Sequence, residues 1–278
     1  MAGGGELRWV AADLTLIVEE ARRRLDLSPI AAAVLGDSLA GAALLLHLAA
    51  PTTTRLVVEI HGRGPLRRVL AEADHEGNLR GMVGQPHVDL PPTAAGRLAI
   101  ADAVGRGFLR VWRERPDARP YESVVQIVSG HLGQDLAHFL AQSEQTRSAV
   151  LLGVLAKPAG IAAAGGMIVE VLPGASPETV ERLERNVAGI HEVSRLLEER
   201  GVPALADRLF GGLDWEVRES FPLRYQCRCR RERLQELLAL LPAEDRQQLA
   251  LDEGTVESEC VFCGAVYRFA PQELVAPS

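Results

Sequence analysis

All four cysteines of this chain fall in two short stretches near its end. Cys227 and Cys229 stand in RYQCRCRRER, and Cys260 and Cys263 in ESECVFCGAVYRF. Between them lies RRERLQELLALLP, with Leu234, Leu237, Leu238 and Leu241 at helical spacing. The second stretch reads as a hairpin whose turn is CVFCG. Roughly fifty residues with so few large apolar side chains cannot build much of a core, and units of that size need a staple. The thiols can close disulfides, hold a metal, or switch between the two, and that choice constrains the chain more than any other feature.

Two tight pairs separated by a helix match a structural zinc site, in which two turns each present two sulfurs and complete a tetrahedron with Zn–S near 2.3 Å. Gly264, directly after Cys263, suits a turn whose backbone must come close to a ligand sulfur. Arg224, Arg228, Arg230, Arg231 and Arg233 crowd the first pair; they are expected to offset the charge of four thiolates and to favour thiolate over thiol. Permanent disulfides or four unconnected thiols are the competing readings. Adjacent thiols at this spacing can also oxidise to each other once no metal claims them. Structural zinc in a small domain contributes about 10–16 kcal/mol of folding energy, whereas disulfides closing loops of three or four residues return only about 2 kcal/mol each. Oxidation is therefore expected to unfold this module.

The chain of 278 residues, 47% hydrophobic and 24% charged, has room for a sizeable core beside that module. A net charge of −7 argues against general nucleic-acid binding. The opening MAGGGELRWVAAD lacks a basic region followed by an apolar run, so a cytoplasmic, reducing location is expected, where paired cysteines more often bind metal or do redox chemistry. The apolar stretch from Ser28 to Pro51 is long enough to span a membrane, but Asp37 near its middle would cost about 2.5–3.5 kcal/mol there. With Ser28 as N-cap and Pro29 at the first helical position, it reads as a buried helix of a soluble domain.

Three regions separate along the chain. Residues 1–173 mix strand-like and helix-like runs without regular alternation, which favours a layered α+β domain. RLVVEIHGRGPLRRVLAEAD reads as two strands around a glycine-proline turn, GRLAIADAVGRGFLRVWRERP and YESVVQIVS as further strands, and GHLGQDLAHFLAQSEQ as a helix. Residues 174–223 read as a helical linker. SPETVERLERNVAGIHEVSRLLEERG is one helix from N-cap Ser176 to Gly201, with Val180, Leu183, Val187, Ile190 and Val193 as an apolar stripe, and PALADRLFGGL is a second. Residues 224–278 form the cysteine module, and AEDRQQLA continues its helix after Pro242.

The residues resemble the heat-shock protein 33 family, zinc-dependent and redox-regulated bacterial chaperones. The resemblance rests on CRCRRER and ECVFCGAVYRF, and continues through RGMVGQP, QDLAHFLAQSEQ and GGMIVEVLPGA in the expected order. TRSAVLLGV lacks a proline expected near its threonine, and Arg230 stands where a serine is common; neither touches a ligand. The resemblance implies that Cys227, Cys229, Cys260 and Cys263 hold one zinc in the reduced, inactive state. It implies that oxidants release the zinc and form Cys227–Cys229 and Cys260–Cys263 disulfides. The module and linker then unfold, and a form that tends to dimerise binds unfolded client proteins without ATP.

The main alternative is a zinc-ribbon adaptor for nucleic acid. From Arg224 to Ser278, however, seven arginines face nine acidic residues, and few aromatics are available for stacking. An enzyme is not expected. His131, Asp135 and His138 share a helical face but have no nucleophile motif, and read as solvated or capping groups. RGMVGQP and AGGM lack the full glycine spacing of a phosphate loop. Ser143–Gln145 reads as a helix C-terminal turn. Lys157 is the single lysine among 30 basic residues, a bias that reads as genome composition or heat adaptation.

Overall fold

A computed structural model describes residues 1–116, 118–242, 244–246, 248, 255–270 and 273. The chain divides into two compact units, Met1–Tyr225 and Gln226–Ser278, and the architecture is α+β.

The first unit is built on helix α2 (Pro29–Leu48), preceded by β1 (Leu7–Asp13) and α1 (Thr15–Arg24). Ser28 caps α2 by accepting a hydrogen bond from the Ala31 N–H, with proline at the first helical position, so the boundary read from the sequence holds. Although long and apolar enough to cross a membrane by length and composition, this helix is enclosed by the protein on nearly every side. It packs against strands of two sheets.

One sheet has six strands: β2 (Arg55–Gly62), β3 (Arg68–Asp74), β4 (Asn78–Val83), β5 (Gly107–Arg115), β6 (Ala118–Gln126) and β9 (Arg224–Tyr225), in the order β6-β5-β2-β3-β4-β9. The β2–β3 hairpin is the expected one, pairing Arg55 with Asp74 through His61 with Arg68. LAIADAV, read as strand, instead contains helix α3 (Ile100–Val104). Ala103 and Val104 turn inward and Gly105, at φ +68°, ends the helix in a conformation that favours glycine; β-branched residues gave the run a misleading strand character.

The other sheet has the order β1-β8-β7, from β7 (Ser148–Lys157) and β8 (Gly160–Val171). Gly81 lies in β4, and Gly165 and Gly166 in β8, so neither glycine motif forms a phosphate loop. Helix α4 (Leu132–Ser143) fills the expected position; Glu144 and Gln145 form its C-terminal turn, and Glu144 pairs with Arg113 at 3.1 Å. Asp135 is buried and accepts from the N–H groups of Val128, Ser129 and Gly130, a clamp on the loop before α4 rather than part of a catalytic pair.

The segment after Gly174 packs on the three-stranded sheet. Its first helix is shorter than expected. Helix α5 (Pro177–Ala188) ends at Gly189, and α6 (Val193–Arg200) begins four residues later, followed by α7 (Val202–Leu209). Val187, Ile190 and Val193, before, within and after the break, reach the same cluster as Leu183, Leu7, Leu151 and Met167.

The second unit holds α8 (Arg231–Ala239) and the antiparallel hairpin β10 (Val256–Glu259) and β11 (Val266–Phe269). Its described core is Val256 and Phe269, with Leu234, Leu238 and Tyr267 partly buried against them. Leu237 is 54% exposed, so the leucine pattern contributes less than its spacing suggests. AEDRQQLA lies partly outside the described residues.

Candidate metal centre

The hairpin places the second cysteine pair. Cys260 N–H donates to the Ala265 carbonyl at 2.9 Å, and Cys263 and Gly264 N–H both donate to the Cys260 carbonyl at 3.1 and 2.8 Å. This tight knuckle requires Gly264 at φ +69°, a backbone position that a Cβ would strain. The first pair sits on the short segment that leads into α8, whose N-cap is Arg230.

Together these elements bring all four sulfurs within 4.8 Å of one another. Cys227 Sγ lies 3.7 Å from Cys260 Sγ, and Cys229 Sγ lies 3.3 Å from Cys263 Sγ. A tetrahedron with Zn–S near 2.3 Å has sulfur–sulfur edges of about 3.8 Å. Among the described residues the donor set is four soft sulfurs, a set that suits zinc. Cys260 and Cys263 are buried and Cys227 and Cys229 are half-buried, so the cluster is closed on one side and reachable on the other.

The groups that tune the sulfurs differ from those expected. Arg224 donates to Asn78 Oδ1 and Arg231 to the Arg268 carbonyl and Glu273. The leading influences on the thiols are burial and hydrogen bonding. Burial pushes the Cys260 and Cys263 thiols up, against hydrogen bonds from the backbone N–H groups of Phe262 and Ala265. Burial opposes ionisation of Cys229 too, but hydrogen bonds from Tyr267 and the neighbouring thiols outweigh it and hold Cys229 below the usual thiol range. The Tyr267 hydroxyl donates to Cys229 Sγ at 3.3 Å, and its own pKa is pushed up to about 12, first by that bond. Four thiols this close cannot all ionise on their own, so a divalent cation is the natural partner that makes the cluster stable. Sequence reasoning missed Tyr267; the alternation of β11, which puts Tyr267 and Phe269 on one face, is the signal that carried it.

The family profile described as "Hsp33 protein" matches residues 1–270. The chain belongs to the Hsp33 family. A 33 kDa chaperonin of Thermus thermophilus is 44% identical over 285 residues, covering 99% of this chain and 84% of that protein. One of Deinococcus radiodurans is 38% identical over 279 residues, covering 99% and 95%. The crystal structure of the 33 kDa chaperonin, the Hsp33 homologue of Thermotoga maritima, is similar with a TM-score of 0.91 and 36% identity, covering 98% of this chain and 93% of that one. The chain is thus a chaperone of the Hsp33 family with a four-cysteine cluster able to hold a metal such as zinc, and not an enzyme.

Proposed function

We propose that this chaperone is a redox-regulated holdase, inactive when Cys227, Cys229, Cys260 and Cys263 are reduced and hold one zinc ion, and active when they are oxidised. The observation that carries the reading is the gathering of four sulfurs within 4.8 Å in a unit whose described core is Val256 and Phe269. When bound, zinc keeps the four sulfurs as thiolates and contributes most of that unit's folding energy, about 10–16 kcal/mol.

Cys227 and Cys229, half-buried where Cys260 and Cys263 are buried, are the sulfurs best placed to meet an oxidant. A thiolate attacks one peroxide oxygen, giving a sulfenic acid and hydroxide; a neighbouring thiolate then displaces hydroxide from that sulfur and closes a disulfide. Two peroxides take the four cysteines to two disulfides. The sulfur distances do not select a pairing, and Cys227–Cys229 with Cys260–Cys263 follows from the family resemblance. Because each such loop returns only about 2 kcal/mol, the oxidised unit does not hold its fold.

Release of residues 174–223 would then free the apolar side of α5 and α6 and the sheet face beneath it, including Leu155 and Val171. Apolar patches of that kind bind unfolded chains without sequence preference, while the net charge of −7 restrains self-aggregation. The same reading places the protein in the cytoplasm and makes the oxidised form a homodimer.

The test compares suppression of thermal aggregation of a client by the two redox forms, without ATP. The oxidised, zinc-free form is expected to protect and the reduced form weakly, with reductant plus zinc reversing the gain. Equal protection by both forms, or by neither, would overturn the reading. A salt-dependent gel shift of nucleic acid by the reduced zinc form would favour the adaptor alternative instead.

A further inference from the structure

At one end of the six-stranded sheet the same three residues occur twice: Gly62-Arg63-Gly64 where β2 ends and Gly105-Arg106-Gly107 where β5 begins. The β2–β5 ladder pairs His61 with Phe108 and Gly62 with Gly107. One more bond, from the Arg63 N–H to the Arg106 carbonyl at 2.8 Å, carries that register a step further. Arg63 and Arg106 therefore stand directly opposite each other, on the sheet face that His61 and Phe108 share. Glycine is what allows the approach. A Cβ on Gly62 would meet the Val104 carbonyl oxygen at 1.9 Å, and one on Gly107 the His61 carbonyl oxygen at 1.8 Å. The two arginines thus stand on closely packed backbone.

Like charges directly opposite across two strands destabilise a sheet, and elsewhere on this face arginines are placed beside acids. Arg68, His61 and Arg110 hold Glu59, at 2.6, 2.9 and 3.6 Å, and Arg55 holds Glu72 and Glu114. Among the described residues no carboxylate pairs with Arg63 or Arg106, although Asp102 lies just before the second turn. Both arginines are exposed, and so is Arg67, whose carbonyl closes the first turn by accepting from the Gly62 N–H at 2.8 Å. On a chain of net charge −7, this corner concentrates positive charge that no acid offsets.

We propose that the corner binds an anion bearing a pyrophosphate group, held between Arg63 and Arg106. Side chains from directly opposite positions start about 5 Å apart at Cβ and are long enough to close on one ligand from two sides. Each guanidinium offers a planar fork that matches the oxygens of one phosphoryl group. A carboxylate would neutralise one arginine and leave the other, whereas a pyrophosphate carries charge for both. Nucleic acid needs a track of positive charge along successive phosphates, which one corner of an acidic protein does not supply. The group has two sources, inorganic pyrophosphate and a nucleoside diphosphate. Phe108, 37% exposed and stacked on His61 with centroids 4.8 Å apart, is the ring that a base would meet. The corner uses neither the cysteines nor residues 174–223, so it stands apart from the redox reading.

The test is calorimetric titration of the full-length reduced protein at low salt with pyrophosphate, ADP and orthophosphate, with zinc content measured before and after. One pyrophosphate per chain is expected, with orthophosphate about tenfold weaker. Arg63→Gln and Arg106→Gln should each weaken pyrophosphate about tenfold, and the double variant should abolish binding. Arg23→Gln, at an exposed arginine of α1, should change nothing. Because the double variant removes a like-charge pair, its thermal midpoint should not fall, which separates lost binding from lost fold. ADP bound no tighter than pyrophosphate identifies the inorganic source; tighter ADP binding that Phe108→Ala abolishes identifies a nucleoside diphosphate. The proposal is overturned by the absence of saturable binding, by binding that survives the double substitution, or by equal weakening in Arg23→Gln. Equal binding of a tetraglutamate peptide overturns it too.

Discussion

Helix α2 in the first unit buries sixteen of its twenty residues, whereas no residue of α8 in the second is buried. Leu44 and Leu45 of the one are 1% exposed; Leu237 of the other is 54% exposed. The first unit draws its stability from many apolar contacts, each worth a little, and no single loss removes the fold. In the second, on the function proposed above, stability is concentrated at the four sulfurs and the ion they hold. A fold that depends on one interaction can be switched by chemistry at that interaction, and a distributed core cannot. Under that proposal the two units divide a labile sensor from a durable scaffold.

The largest expected effect breaks this contrast at its strongest point. Removing metal with a chelator under reducing conditions, or replacing Cys263 by serine, should unfold residues 226–278 and leave the first unit intact, a loss of about 10–16 kcal/mol of metal-linked folding energy. Amide hydrogen exchange by mass spectrometry reads both units at once. Fast exchange in β10 and β11 beside unchanged protection in α2 is the expected pattern; retained protection of the hairpin without metal would show that its apolar core suffices.

Much of the cysteine unit was legible in the sequence because its metal-binding chemistry resides in residue type and spacing. Thiols in tight turns with a glycine after them report their geometry locally, and the capped apolar run of α2 did the same. What stayed hidden depends on distant partners. ELRWVAAD gives little strand signal alone, yet Leu7–Asp13 pairs with Gly165–Val171, a contact made far along the chain. The two residues of β9 are a strand only because they add in parallel to Asn78 and Leu79. Gly189 interrupts a helical pattern that capping and periodicity alone ran straight through. The arginines near the first cysteine pair read as counter-charges, but Arg224 was claimed by Asn78.

The next effect belongs to the scaffold. Asp37 lies within α2, its Oδ1 shut off from solvent with no hydrogen-bond partner. It lines a cavity of about 10 Å³ that Asp135 also lines, room for about one water. Burial pushes its pKa up to about 7 from 3.8. An acid raised in this way binds its proton more tightly when folded. The stability it allows is complete below its unfolded value and declines by about 1.4 kcal/mol per pH unit as pH rises toward 7. Asp37→Asn should flatten that decline in chemical denaturation curves of the first unit between pH 4 and 7, with metal content unchanged. An unaltered slope would assign the decline to other groups.

A smaller effect tests the packing of the 174–223 segment. Leu183, 3% exposed on α5, anchors the cluster shared with Leu7 and Met167. Leu183→Ala should cost about 2–4 kcal/mol and should let a protease cut between residues 177 and 213 in the reduced protein. If the proposed release of this segment exposes client-binding surface, the variant should also protect a client partially without oxidation, while its zinc content stays at the wild-type level. Faster cleavage with no gain in protection would separate the mobility of the segment from chaperone activity.

The smallest expected effect lies at the start of α5, where the segment joins the scaffold. Ser176 accepts a hydrogen bond from the Thr179 N–H at 3.3 Å, and its hydroxyl donates to Glu6 at 3.0 Å. The Ser176 N–H donates to the other Glu6 oxygen, also at 3.0 Å. One side chain thus caps the helix and ties it to the residue just before β1. Ser176→Ala removes the cap and the hydroxyl bond but keeps the backbone bond to Glu6, so the loss should be about 1 kcal/mol. Its reach is what makes it informative. A change confined to fraying of the first turn would raise hydrogen exchange only at residues 177–180. Faster exchange throughout α5 and α6 would mean that the segment opens as one cooperative piece, with Glu6 and Ser176 as its latch, and sensor-driven release would then break that latch together with the apolar cluster around Leu183.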